Sequence, residues 1–191
     1  MTQPNTNPHP DRPEHGPFFS KLHLPTPKAH LIFWPLITVG VALDLWTKQA
    51  VFSWLSTIPH NEFSIVKGFV TFVMRENSGA AFSIATGQTP ALITISMVAF
   101  AVVVAIFLFG GIGQRITQIA LALFTAGIIG NLYDRIFNNG FVRDFIDVVY
   151  WPGRHWPAFN VADSMLCIAV GLLLISNITS AYLQKPARPQ K

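Results

Sequence analysis

Residues 90–111 read PALITISMVAFAVVVAIFLFGG, twenty-two positions without an Asp, Glu, Lys or Arg. At a helical rise of about 1.5 Å per residue, such a run crosses a hydrocarbon core about 30 Å thick. The whole chain has the matching composition: 51% hydrophobic and 12% charged residues over 191 positions, with a mean hydropathy of +0.43. That profile excludes an ordinary soluble domain and points to an integral membrane protein.

Working outward, the tight connection GGIGQR ends at Arg115, and Ile116 to Tyr133 is again a run with no charge before Asp134. A further uncharged run, Ser164 to Leu183, leads into a basic tail carrying Lys185, Arg188 and Lys191. On the other side, Leu31 to Phe52 starts with LIFWPLITVGVAL and then carries Asp44 and Lys48, four residues apart and so on one helical face. The two side chains either neutralise each other near an interface or brace a polar pocket. Between these spans, SIVKGFVTFVM (64–74) is too short to cross as a helix. It places Val66, Gly68, Val70, Phe72 and Met74 on one face of a strand and runs into a turn-like cluster from Glu76 to Gly79, followed by Ala80, Ala81 and Phe82.

The expected fold is therefore an all-α integral membrane protein, four transmembrane helices with a small extracytoplasmic β element. Three segments are expected: a disordered cytoplasmic tail over 1–28, a four-helix transmembrane domain over 29–184, and a basic cytoplasmic tail over 185–191. Residues 1–28 are rich in Pro, His and Asn and lack the apolar core of a cleavable signal peptide. Lys and Arg in both tails, with Arg115 in the middle connection, put both termini on the cytoplasmic side and the two longer loops outside. Tyr150, Trp151 and Trp156 suit an aromatic belt at the outer interface.

The net charge of +4 is modest and the basic residues lie mainly in the tails, so nucleic acid is not an expected partner. The lone cysteine, Cys167, permits no internal disulfide and reads as a small apolar filler. Histidines at 9, 15, 23, 30, 60 and 155 show no ligand spacing, and neither a metal nor a cofactor is expected.

Two constellations carry candidate chemistry. Gly127, Gly130, Asn131, Asp134 and Arg135 fall on one helical stripe, which must face other helices or water. Next to it lies GFVRDFIDVVYWPGRHWPAFNVAD (140–163), with Asp144, Asp147 and Asp163. Asp163, three residues after Asn160, has a plain reading as a helix cap. It has a chemical one too, if the intervening loop folds back to bring it to Asp144. Two carboxylates held close share one proton, and such a pair can activate a water and protonate a leaving group. Membrane carboxylates also suit a small proton-coupled transporter or channel component, although such proteins more often place acids near the midplane and carry internal repeats. A helical assembly subunit held together by polar contacts is a third, non-catalytic option.

Five blocks resemble the bacterial lipoprotein signal peptidases (signal peptidase II): DLWTK at Asp44–Lys48, ENSGAAFS at Glu76–Ser83, GIIGNLYDRI at Gly127–Ile136, FVRDFID at Phe141–Asp147 and FNVAD at Phe159–Asp163. Their order spans about Leu31 to Leu183. The resemblance implies an aspartic endopeptidase that cuts diacylglyceryl-modified prolipoproteins just before the lipidated cysteine. By that resemblance the catalytic pair falls on Asp144 and Asp163. Asn77, Gly130, Asn131, Arg135 and Asn160 line the substrate site, and Asp44 and Lys48 support it. Asp134 is then structural and Asp147 a solvated interfacial acid. The implied enzyme sits in the bacterial cytoplasmic (inner) membrane, in contact with membrane lipids, its active site at the outer face; a monomer is expected because a site built within one four-helix bundle requires no partner chain.

Overall fold

The computed structural model describes residues 24–79 and 87–183. Most of the expected N-terminal tail, the 185–191 tail and the Ala80–Phe82 stretch lie outside the described residues. Four helices are long and apolar enough to span a membrane. They are α1 (Pro27–Leu55), α2 (Thr89–Phe109), α3 (Arg115–Phe137) and α4 (Val161–Leu183). Helix α1 starts earlier than its apolar run, at Pro27, because the preceding Thr26 side chain accepts from the Ala29 backbone N–H at 3.3 Å and proline suits a first helical position. Residues 27 and 28, expected in the tail, are helical.

Helix α3 is the central element. It packs on α1, α2 and α4, and its small residues Ala120, Ala122, Thr125, Ala126, Gly127 and Gly130 are all buried. A Cβ added to Gly127 would lie 2.7 Å from the Ala162 backbone oxygen, so α3 and α4 approach backbone to backbone at that point. Gly40 of α1 fits in the same way against Ala126 and Met165, both 2.9 Å from the position of a Cβ. At the other end of the bundle Phe33 stacks on Phe107, ring centroids 3.7 Å apart. The outward faces carry Leu43, Trp46, Val98, Val102, Ile175 and Ile178, as helices bathed in lipid require. Cys167 is on such an outward face, so it fills no core position.

The bundle is mostly helical but not all-α. Strands β1 (Glu62–Val66), β2 (Val70–Asn77), β3 (Val142–Trp151) and β4 (Arg154–Phe159) form one antiparallel sheet in the order β1-β2-β3-β4. The single strand expected over 64–74 is a hairpin: Gly68, at φ +71°, turns the chain between β1 and β2, and Phe69 N–H closes the turn on the Val66 carbonyl at 2.9 Å. The stretch expected as a loop before Asp163 is the second hairpin. Trp54, at the end of α1, meets Phe63 and Phe72 edge-on, and Phe72 meets Phe145, which docks the sheet on the bundle. All four helix ends that connect to strands therefore gather at the sheet end.

Candidate active site

The sheet end holds a buried polar cluster built on α1, α3, α4 and the strands β2 and β3. Lys48 and Asp44, on one face of α1, form a 2.8 Å ion pair with both side chains fully buried. Both side chains are enclosed by protein, as bracing a polar pocket requires. Lys48 Nζ also donates to Asn131 Oδ1 at 3.1 Å and to the Gly130 carbonyl at 3.4 Å, and pairs with Asp134 at 3.3 Å. Asp44 Oδ1 accepts from the Ala162 backbone N–H at 2.8 Å, anchoring the start of α4. A Cβ on Gly130 would collide with the Asp44 carboxylate, so glycine there lets α1 and α3 close up. Gly130 thus serves packing and offers its carbonyl to Lys48.

Helix α4 begins three residues before the apolar run, so Asp163 lies in its first turn. Asn160 and Asp163 cap that turn reciprocally: Asp163 N–H donates to Asn160 Oδ1 at 2.9 Å, and Asn160 N–H donates to Asp163 Oδ2 at 3.2 Å. Both capping residues have a second task. Asp163 Oδ1 accepts from Asn131 Nδ2 at 2.8 Å, and Asn160 Nδ2 donates to Asp144 Oδ1 at 2.7 Å and to Asn131 Oδ1 at 3.1 Å. One asparagine therefore touches both candidate acids, and a second braces it.

Asp144 is 2% exposed on β3, and its other oxygen accepts from Asn77 Nδ2 at 3.0 Å. Burial, and next the charge of Asp163, push its carboxyl up to about 7, against the two amide hydrogen bonds that favour the ionised form. Asp163 is less enclosed than Asp144. A buried acid that keeps its proton to about neutral pH beside a more open one is equipped for paired acid and base chemistry. Asn77 Oδ1 also accepts from the Gly79 N–H at 2.9 Å, and Arg135 donates to the Gly79 carbonyl at 2.8 Å, so the end of β2 is tied to both β3 and α3.

A family model described as signal peptidase (SPase) II matches residues 36–179. The chain belongs to the signal peptidase II family. It is 37% identical over 150 residues to the lipoprotein signal peptidase of Geobacter metallireducens, covering 77% of this chain and 90% of that one. It is 32% identical over 194 residues to that of Rhodopirellula baltica, covering 93% and 85%. A solved structure described as a bacterial membrane enzyme superposes with a TM-score of 0.72 at 27% identity, covering 85% of this chain and 94% of that one.

In this signal peptidase II chain, Asn77, Asn131, Asn160, Asp144 and Asp163 join in one hydrogen-bonded cluster, with Asp44 and Lys48 beneath it. Arg135 borders it through Asn131 and Gly79. Asp134 is fully buried and ion-paired, in line with a structural reading. Asp147 is not freely solvated: it is 17% exposed and pairs with His155 at 2.8 Å across β3 and β4. By proximity in the sequence Arg143 would pair with Asp144 or Asp147 of its own segment. Arg143 holds Asp134 instead, nine residues back on α3. Among the described residues no group of three or more His, Cys, Asp or Glu side chains is placed to hold a metal.

Proposed function

We propose that the protein is an aspartic endopeptidase that removes the signal peptide from diacylglyceryl-modified prolipoproteins just before the lipidated cysteine, with Asp144 and Asp163 as its acid and base. Family membership carries the activity. The observation that supports the pair is the Asn160 and Asn131 link between the two carboxyls. In this reading Asp163 accepts a proton from a water whose oxygen adds to the scissile carbonyl carbon. Asp144, when it holds its proton, hydrogen-bonds the carbonyl oxygen as charge develops there. Collapse then breaks the C–N bond as a proton passes to the leaving amine. Asn77, Asn131, Asn160 and Arg135 line the cleft, and Asp44, Lys48 and Gly130 hold α1, α3 and α4 in the register that places them.

The site would face the outer leaflet of the cytoplasmic membrane, with both termini cytoplasmic and a single chain sufficient. A lipid-anchored substrate would lie along the outward apolar faces of the helices. The transporter reading finds no support in the placement of the candidate acids, which cluster at the sheet end of the bundle. The test uses purified protein with a precursor in lipidated and unlipidated forms, products read by mass spectrometry. Cleavage of the lipidated form alone, immediately before its cysteine, is expected. Equal cleavage of both forms would contradict the substrate assignment.

A further inference from the structure

Arg143 directly precedes Asp144 on β3, and both its backbone and its side chain are engaged. Its N–H donates to Asp134 Oδ2 at 2.9 Å, and Nη2 and Nε donate to Asp134 Oδ1 at 2.7 and 3.2 Å, a forked grip on a fully buried carboxylate. Nη1 reaches Gln49 Oε1 on α1 at 3.1 Å. Its carbonyl accepts from Asn160 Nδ2 at 3.3 Å, the same amide that holds Asp144. Asp134 in turn shares Lys48 with Asp44. Two cations and two acids thus make a balanced set tying α1 and α3 to the residue before Asp144. In the pairing of β2 with β3, Arg143 faces Glu76.

We infer that Arg143 is a positioning residue: anchored by Asp134 and Gln49, it fixes the entry of β3 so that Asp144 meets Asn160 and Asn77 in one orientation. The inference rests on the assignment of Asp144 as catalytic. Such a residue acts on the rate after binding. Displacing a reacting group by about an ångström costs on the order of 100-fold, whereas contacts made equally in ground and transition states change KM.

The test compares Arg143→Met, Arg143→Lys and Gln49→Ala in steady-state cleavage of a lipidated precursor, with thermal unfolding in detergent alongside. Arg143→Met is expected to lower kcat about 10- to 100-fold with KM within about twofold. Arg143→Lys keeps the charge but not the fork, and should restore part of the rate, leaving a loss of about three- to tenfold. Gln49→Ala, which removes one outer contact, should cost at most about twofold. Unchanged kcat in Arg143→Met would overturn the inference. If Arg143→Met fails to fold, unchanged kcat in Arg143→Lys would do the same. Asp144→Asn, run in parallel, separates the two failures: an active Asp144→Asn removes the catalytic assignment itself, while an inactive one beside a fully active Arg143→Met removes only the positioning role.

Discussion

Asp144 differs from an ordinary surface aspartate in one respect with two measurable consequences. Its carboxyl sits at about 7 in the folded protein, against about 3.9 in an unfolded chain. Between these values the folded protein retains a proton that the unfolded chain has released, so stability falls as pH rises through that window. Asp144→Asn, neutral at every pH, should therefore be more stable than the parent at pH 8, by on the order of a few kcal/mol, and nearly as stable as the parent at pH 4. Thermal unfolding of both proteins in detergent checks this. The catalytic consequence runs the same way. As pH rises above about 7 the acid loses its proton, and kcat should decline through that region, measured as a pH–rate profile. Lys48 makes a different case, since among the described residues it pairs with both buried carboxylates, Asp44 and Asp134. Lys48→Met should cost about 3–5 kcal/mol, because each acid would lose a partner it cannot replace with water. Urea or thermal unfolding would show the loss.

At the scale of elements, close approach is the theme. Gly127→Ala puts a methyl group 2.7 Å from the Ala162 backbone oxygen, and backbone cannot give way as a flexible side chain can. The expected cost is about 1–3 kcal/mol, with a larger fall in cleavage rate than the same change at Gly171, where a Cβ meets nothing within 4 Å. The helices were legible in the sequence because lipid demands long uncharged runs, and nothing else in the chain satisfies that demand. The sheet was less so. Strand β3 reads VRDFIDVVYW, and three charges in a short stretch pointed to site chemistry and hid a run rich in β-branched and aromatic residues. The β1–β2 hairpin was missed because the apolar alternation of 64–74 continues straight through Gly68. The positive φ at that glycine and the Phe69 to Val66 hydrogen bond mark the turn.

For the molecule as a whole, the long-range partners were the hardest to read. Asn131, Asp144 and Asp163 come from three elements, and no periodicity links β3 to α4. What could be read was their chemistry and the resemblance that singled them out. The partners that hold them could not: the Ala162 N–H on Asp44, the Gly79 carbonyl on Arg135, and Arg143 on Asp134. Each depends on how the hairpins fold over the bundle end. The proposed orientation makes a separate demand on the same architecture. With Cys167 removed, a cysteine at Lys67 in the β1–β2 turn should react with an impermeant reagent on intact cells, and one at Arg115 only after the membrane is opened. Labelling in the reverse pattern would invert the topology.

The central claim is that Asp144 and Asp163 act together as acid and base. Single-turnover cleavage of a lipidated precursor by Asp144→Asn and by Asp163→Asn, each shown to be inserted and folded, tests it most directly. Each variant should be slower by about a thousandfold or more, and the double variant scarcely slower than either, as expected of residues that work as a unit. Substantial cleavage by either single variant would contradict the account.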